Sequence, residues 1–311
     1  MTRILVTGAA GGIGQALLSE IPAGHEVLAT DIRRPANLPA GAEYRSLDVR
    51  GDDPHRVIGD WRPEVVVHLA SIVTPQKGST RSFEFSVDVA GSGRVLDACV
   101  AHGVRRIVVT SSGAAYGYHG DNPVPLRETD ALRGNEEFAY AFHKRLVEEM
   151  LADARRDHPQ LEQVVLRVGT VLGEGIANQI TALFHRDPLL GIRGSDSPFV
   201  FIWTKDLARI LLRAATDGPP GIFNVAGDGT LGTRELAAAL GKRVRWLPPS
   251  LLALALGIAR PLGLSRYGPE QVRFLQYRPV LDNTRLKTEF GYVPEKSSAE
   301  VFELWRRSVG L

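Results

Sequence analysis

The chain of 311 residues holds a single cysteine, Cys99, so no disulfide can form within it and a reducing compartment is its natural setting. Neither sign of charge prevails: 37 Lys and Arg stand against 35 Asp and Glu, a net charge of +2. That balance gives no electrostatic footprint for nucleic acid, and the arginine pairs Arg33-Arg34, Arg105-Arg106 and Arg155-Arg156 are dispersed along the chain. Long apolar runs are missing too. The longest stretch, Leu251 to Ala259, is too short to span a bilayer and runs into Arg260-Pro261. No repeat, no low-complexity segment and no metal-ligand cluster is visible, and the eight histidines are scattered. No signal-peptide pattern precedes the first strand, which starts within a few residues of Met1, so a cytoplasmic protein is expected. What is present is ample core material, 44% hydrophobic residues, and 32 glycines.

Three of those glycines carry the first argument. Ile4 to Thr7 reads as a short buried strand, and Gly8, Gly11 and Gly14 follow with G-x-x-G-x-x-G spacing before a helical pattern over Ile13 to Ile21. A tight turn, close approach of backbone to a pyrophosphate, and close packing of helix on strand all require glycine. The helix N-terminus adds free N–H groups and a positive dipole end. A second strand, Glu26 to Thr30, ends at Asp31, 23 residues after Gly8, where a carboxylate can bond the ribose hydroxyls of a dinucleotide. Gly8, Gly11, Gly12, Ile13 and Gly14 are therefore candidate phosphate-loop residues, and Asp31, Ile32 and Arg33 candidate neighbours of the adenosine. Asp31 disfavours a 2′-phosphate by charge, so NAD is expected over NADP, although Arg33 and Arg34 work in the other direction.

Strand and helix signals alternate through the first half. A short strand ends at Leu47, followed by Asp48-Val49; Asp48 suits either acceptance from an adenine amino group or a cap on the helix expected over Asp52 to Trp61. The fourth strand runs Glu64 to Leu69, and small residues at its end, Ala70 and Ser71 beside Leu69, let a cofactor pass. A long helical segment covers about Ser82 to His102, then a strand Arg106 to Thr110 ends in Thr110-Ser-Ser-Gly-Ala-Ala-Tyr-Gly117. A helix from about Glu136 to Arg156 carries Tyr140 and Lys144 at i and i+4, on one face. A tyrosine of ordinary pKa near ~10 is a poor acid–base at neutral pH, and an adjacent ammonium together with a cationic nicotinamide would favour its phenolate. Ser112 is then placed to bond a substrate oxygen and to share a proton with Tyr140. Val147 and Leu151 lie on the Tyr140 side of this helix, while Phe138, Phe142, Leu146 and Met150 form a second stripe, for which a partner subunit, hence a homodimer, is expected.

Leu161 to Val168 closes the regular alternation. After it come a loop-like Gly173 to Asn178, a strand Phe199 to Trp203, a helix Thr204 to Ala215, a strand Gly221 to Ala226, a helix Thr233 to Leu240 and a strand Val244 to Leu247. The end reads as helical over Pro249–Leu262, Gly268–Phe274, Asn283–Phe290 and Ser298–Val309. The expected fold is α/β: a Rossmann-type, doubly wound parallel sheet over 1–168, with segments near 199–226 returning to it, and a smaller, mainly helical substrate lobe in 169–311.

With these residues in view, the chain resembles the extended short-chain dehydrogenase/reductases, and within them the NAD-dependent epimerase/dehydratase family of sugar nucleotide enzymes. Thr7-Gly-Ala-Ala-Gly-Gly-Ile-Gly14, His68-Leu-Ala70, Ser111-Ser-Gly-Ala-Ala-Tyr-Gly117 and the pair Tyr140/Lys144 carry the resemblance. Leu166-Arg-Val-Gly-Thr170, Phe201-Ile-Trp-Thr-Lys-Asp-Leu-Ala208, Phe223-Asn-Val-Ala226 and Leu281-Asp to Gly291-Tyr-Val-Pro294 extend it. It implies that Tyr140 takes or gives the hydroxyl proton, Lys144 holds the nicotinamide ribose and Ser112 orients the oxygen. It places Thr110 and Val168 beside the cofactor, and Gly113, Thr170, Asn178 and Phe199 beside a small-molecule substrate.

Three departures from the family pattern stand out. Asp88 replaces the usual Asn, Arg167-Val-Gly replaces Arg followed by Pro or Tyr and an aromatic, and Phe199-Val200 replaces the usual Arg-Asp. A nucleotide diphosphate needs positive partners, which Phe and Val do not supply. Two reactions therefore compete: a nucleotide-sugar epimerisation that retains its NAD, and a net NAD(P)-dependent dehydrogenation or reduction of a less polar, steroid- or flavonoid-like substrate. Gly113 and Ala114 stand where dehydratases carry an acidic pair, which argues against dehydration, and the complete Ser112/Tyr140/Lys144 set argues against a non-catalytic dinucleotide sensor.

Overall fold

The computed structural model describes residues 2–75, 78–174, 176–265 and 268–311; Gly175, in the loop expected over 173–178, lies outside them. β1 (Arg3–Thr7) leads through the glycine turn into α1 (Gly12–Glu20), followed by β2 (Glu26–Asp31), β3 (Glu43–Ser46), α2 (Asp53–Trp61) and β4 (Val65–His68). The long helical segment is α3 (Arg81–Phe85), a π-helical turn (Ser86–Ala90) and α4 (Gly91–Ala101) in succession. β5 (Arg106–Ser112) ends in a single 3₁₀ turn, Gly113–Tyr116, and α5 (Ala139–Asp157) returns the chain to β6 (Glu162–Val168). Beyond lie β7 (Thr170–Leu172), α6 (Thr181–Phe184), β8 (Leu189–Ile192), β9 (Phe201–Trp203), α7 (Thr204–Ala215), β10 (Gly221–Val225), α8 (Thr233–Ala239) and β11 (Val244–Leu247). Helices α9 (Pro249–Ala259), α10 (Gln271–Gln276), α11 (Thr284–Thr288) and α12 (Ser298–Ser308) end the chain.

Seven strands form one parallel sheet in the order β10-β6-β5-β4-β1-β2-β3. Its central strands are runs such as Val65-Val-Val67, buried throughout rather than alternately. Both faces of a parallel sheet are covered by helices, so neither set of side chains can be polar. Leu17 and Leu18 of α1 and Leu207, Ile210 and Leu211 of α7 cover one face. Val57 and Ile58 of α2, Val95, Ala98 and Cys99 of α4, and Val147 and Leu151 of α5 cover the other. Strand order reverses between β1 and β4, and in open α/β sheets the crevice beyond the carboxyl ends at that reversal is where ligands sit.

The later chain divides its allegiance. β10 adds to the edge of the main sheet beside β6, whereas β9 begins two residues later than expected and pairs with β7 in a separate ribbon. β7 and β8 were not expected; at three and four residues neither is long enough to display a strand period. A second ribbon, β8 with β11, and an aromatic cluster of Phe184, Phe199, Phe201, Phe302 and Trp305 build the smaller lobe. None of the residues of α9 is buried, and Leu251, Leu254 and Ile258 lie more than half exposed along it.

The second stripe of α5 finds partners within the chain. Phe138 packs edge-on against Tyr118, Phe142 lies under the guanidinium groups of Arg81 and Arg145, and Met150 adjoins Gly93. Each of these side chains, like Leu146 of the same stripe, is nonetheless only partly buried.

Candidate active site

At the sheet reversal the turn after β1 is held by two close approaches. Gly8 has φ +68°, and a Cβ there would lie 2.6 Å from the Ala70 nitrogen, so the β1 turn can sit against the end of β4 only as glycine. A Cβ on Gly14 would lie 2.5 Å from the Gly8 carbonyl oxygen, which is why α1 can start directly behind the turn. Gly11 and Gly12, by contrast, are exposed, and a Cβ on Gly12 would meet only the Ile176 Cδ1 at 3.8 Å. Ile13 is the second residue of α1, whose cap residue Gly11 offers no side-chain acceptor. The first-turn N–H groups thus have no side-chain cap and face open space, as a pyrophosphate requires.

Asp31 closes the other side of the turn. Its carboxylate accepts from the Ala10 and Arg33 backbone N–H groups, both at 3.1 Å, leaving two of its four lone-pair positions for ribose hydroxyls. Ile32 is 65% exposed beside it, in keeping with a surface against which an adenine could lie. Arg34 is stacked over Tyr44, and Arg33 is exposed. Asp48 does not cap the helix: its carboxylate is bonded by Arg50, and it is Asp53 that accepts from the Asp48 N–H. The Arg50 hydrogen bonds hold the Asp48 carboxyl below the usual carboxylate range. Val49 packs against Gly91, and Val168 is buried at the end of β6. Taken together, Gly11, Gly12, Ile13, Asp31 and Ile32 fit an adenine dinucleotide.

Tyr140 stands in the first turn of α5, half-buried, with the Ser112 hydroxyl at the end of β5 close enough to favour its phenolate. The Ser112 Oγ also accepts from the Ala114 N–H at 3.1 Å, which fixes its rotamer. One turn along α5, the Lys144 ammonium donates to the Thr110 carbonyl at 2.8 Å and lies 5.6 Å from the centre of the Tyr140 ring. The three groups do converge. The chain alone does not, however, lower the tyrosine's pKa as expected from its sequence: burial pushes the Tyr140 phenol up to about 12, and Asp88 adds to the rise while the Ser112 hydroxyl opposes it. Burial also lowers Lys144, countered by the charges of Asp88 and Glu148. The ammonium is occupied by a carbonyl rather than aimed at the phenol, so any preference for phenolate depends on a further positive charge.

Beneath this site lies a buried polar frame that holds α5 to the sheet. Glu148, one turn beyond Lys144, accepts a bidentate bond from Arg167 and a 2.5 Å bond from Ser111. Arg167 also donates to the Tyr116 hydroxyl, which donates in turn to Asn224 on β10. On the β4 side, His68 bridges Thr7 and Ser92 at 2.8 and 2.9 Å, and Ser71 donates to Asp88.

The expected substrate residues divide. A Cβ on Gly113 would lie 3.2 Å from Leu281, so the C-terminal segment closes over the serine turn. Thr170 is half-buried in β7 and bonded to Val200. The Asn178 side-chain oxygen accepts from the Ile180 and Thr181 N–H groups, which commits it to the α6 turn. Phe199 is 4% exposed and belongs to the lobe core rather than to a free apolar wall. The missing positive charge enters from elsewhere. The Arg278 guanidinium lies 3.8 Å over the Phe199 ring, is bonded to the Ser197 carbonyl and has a buried Nε without a partner among the described residues. Burial lowers it to about 9, so it remains charged at neutral pH. Phe274 of α10 packs edge-on against Tyr118, and the Arg278 guanidinium lies 5.4 Å from the centre of the Phe274 ring. Beyond it an open cleft of about 580 Å³ is lined by Arg193, Ser195, Asp196, Arg234 and Trp246, with Arg234 stacked on Trp246. Neither Arg278 nor this cleft is marked by spacing in the sequence, because both depend on segments that meet only through folding. The apolar stretch 251–259 lies on α9, outside the cleft.

Among the described residues no group could hold a metal ion, and no helix is long and apolar enough to cross a membrane. The chain is 29% identical over 324 residues to a UDP-glucose 4-epimerase of Mycolicibacterium smegmatis, covering 96% of this chain and 95% of that protein. Its fold is similar to that of the UDP-glucose 4-epimerase of Thermotoga maritima with UDP-glucose, at 21% identity and a TM-score of 0.77, over 99% of this chain and 98% of that one. It is similar also to the Thermus thermophilus UDP-glucose 4-epimerase in complex with NAD, at 24% identity and a TM-score of 0.75, over 98% of each chain. The model of the NAD dependent epimerase/dehydratase family matches residues 4–226, and the chain, with its parallel sheet and its glycine turn at the strand reversal, belongs to that family.

Proposed function

We propose that this protein is an NAD-dependent epimerase-type enzyme acting on a secondary hydroxyl of a nucleotide sugar. The observation that carries the reading is a series of packed groups. Tyr140 packs with Tyr118 and Phe274, Arg278 lies 5.4 Å from the Phe274 ring centre, and Ser195, on the cleft of Arg193, Arg234 and Trp246, donates its hydroxyl to the Gln276 carbonyl two residues before Arg278. A sugar, a diphosphate and a base placed in that order would meet an acid–base pair, a guanidinium whose Nε has no partner, and an aromatic face flanked by arginines. A less polar substrate would leave the buried Arg278 Nε–H without an acceptor, which is costly.

In this reading Gly11, Gly12, Ile13 and Asp31 hold the dinucleotide, and Leu69, Ala70 and Ser71 line its path. NAD, when bound, supplies the acceptor and donor of hydride at its nicotinamide. Tyr140 removes the proton from the substrate hydroxyl and returns it to the ketone oxygen, Ser112 holds that oxygen within reach, and Lys144 orients the nicotinamide ribose and adds positive charge. Thr110 fixes Lys144 through its carbonyl. The Gly113 turn, covered by Leu281, keeps water from the serine.

The test is interconversion of UDP-glucose and UDP-galactose, followed by NMR. Tyr140→Phe should lower the rate by at least about 10²-fold, the range for a lost general acid–base, with NAD binding kept. Arg278→Met should raise KM for the nucleotide sugar by about tenfold, with a smaller effect on kcat. Unchanged turnover in Tyr140→Phe removes the catalytic assignment, and an unchanged KM in Arg278→Met removes the nucleotide sugar.

A further inference from the structure

Asp88, where relatives of this type usually carry Asn, is joined to a second buried titratable group. It lies in the π-helical turn Ser86–Ala90, 3% exposed. One carboxylate oxygen accepts from the Ser71 hydroxyl at 3.0 Å and from the Ile72 N–H at 2.7 Å; the other faces His143 Nδ1 at 3.1 Å. His143 is 1% exposed, sits between Tyr140 and Lys144 in α5, and packs edge-on against Phe85. Its Nε2 is buried with no hydrogen-bond partner among the described residues.

Counting donors fixes the protons. An ionised carboxylate only accepts, so His143 must present Nδ1–H to it. The other nitrogen then brings only a lone pair into its slot; a doubly protonated ring would strand an N–H there. The pair is thus a neutral imidazole donating to a buried carboxylate. An amide at position 88 could not do the same: with its oxygen taken by Ser71 and Ile72, its NH₂ would face Nδ1, force the other tautomer and place Nε2–H in the slot without an acceptor.

We propose that Asp88 and His143 are a positioning pair, a buried strut that fixes the Ser71–Ile72 edge of the cofactor groove against the helix carrying Tyr140 and Lys144. The inference rests on the proposed roles of Tyr140, Lys144 and Ser71. The strut also sets local charge. Around Lys144 stand Asp88 from the π-helical turn, Tyr140, His143 and Glu148 from α5, and His68 from β4. Asp88 and Glu148 favour the ammonium against burial, so loss of the Asp88 charge lets Lys144 release its proton at lower pH.

Three measurements on Asp88→Asn, in the full chain, test this. Selective ¹⁵N-histidine NMR should show the Nδ1–H tautomer for His143 in the parent and the Nε2–H tautomer in the variant. The Kd for NAD should rise about tenfold as the Ser71–Ile72 edge loosens. The alkaline limb of the rate profile should move down by about one pH unit, a shift that a merely structural defect would not cause. Adding His143→Thr, whose hydroxyl accepts from the amide, should recover at least about half of the lost NAD affinity on a logarithmic scale. An unchanged tautomer, or an NAD Kd and alkaline limb within twofold and 0.3 pH unit (roughly the error of each measurement), overturns the strut, as does simple additivity of the two substitutions. Should the parent turn over no nucleotide sugar, the reaction assignment fails, while the tautomer and NAD binding still judge the pair.

Discussion

At the scale of single residues, His68 shows how a buried titratable group makes the fold sensitive to acid. The Ser92 hydroxyl donates to the Asp88 carbonyl at 2.5 Å, so His68 Nε2–H must donate to the Ser92 oxygen, and Nδ1 accepts from the Thr7 hydroxyl. Thr7 Oγ1 accepts in turn from the Leu69 N–H, which sets the turn where β4 meets the glycine loop. A neutral ring satisfies every partner. Burial, helped by the Lys144 charge, depresses His68 to about 3. Its ordinary value is near ~6.5, so the unfolded chain takes up a proton below that pH while the folded chain does not. The stabilisation from a neutral His68 is full above pH ~6.5 and is lost as pH falls towards 3. Between pH 7 and pH 4.5 this group alone should remove about 2–3 kcal/mol of stability. Urea melts of the parent and of His68→Asn should therefore differ in slope by that amount, other acid-sensitive groups being common to both. Parallel stability curves would show that the ring is solvated or already charged.

At the scale of elements, α5 carries both the proposed acid–base pair and the means of holding it. Its buried Glu148 and Arg167 on β6 are 4% and 5% exposed in their side chains, and together they tie the helix that bears Tyr140 and Lys144 to the adjoining strands. Breaking a buried pair by removing one charge costs about 3–5 kcal/mol, because the other charge is left unpaired. Glu148→Gln should show that loss in guanidinium melts, and Glu148→Gln with Arg167→Met should be less destabilised than Glu148→Gln alone. A single-substitution loss below about 1 kcal/mol would mean that water reaches the pair. Neither partner was marked as important by sequence spacing, whereas Tyr140 and Lys144 were, since their i,i+4 relation lies within one helix. The same contrast runs through the fold. β1, β4 and β5 were legible because continuous β-branched runs have one use in a parallel sheet, and α7 matched its expected span residue for residue. β7 and β8 were not, since three or four residues carry no period, and Phe199 looked like a ligand contact because its burial under Arg278 depends on a segment 79 positions away. The apolar run of α9 was legible as a helix, yet none of its residues is buried.

For the whole molecule, the cofactor crevice is where folding and binding are coupled, because the glycine turn, the end of β2 and the end of β4 meet there and nowhere else. A ligand that binds only the folded chain stabilises it by about 2.7 kcal/mol at a hundred times its Kd, which for a chain of this size raises Tm by about 5 °C. NAD should produce that shift. Under the same concentration NADP should produce about half of it, because its 2′-phosphate comes against the Asp31 carboxylate, already anchored by Ala10 and Arg33 N–H groups and unable to swing away. A tenfold weaker Kd removes about 1.4 kcal/mol of the stabilisation. Arg33 is the one nearby group able to reverse the order: it is exposed and could turn its guanidinium to a phosphate, while Arg34 is engaged with Tyr44. Asp31→Ala should therefore narrow the gap between the two dinucleotides, and Arg33→Ala should widen it. An NADP shift equal to or greater than that of NAD in the parent would place the arginine, not the carboxylate, in control of the 2′ position.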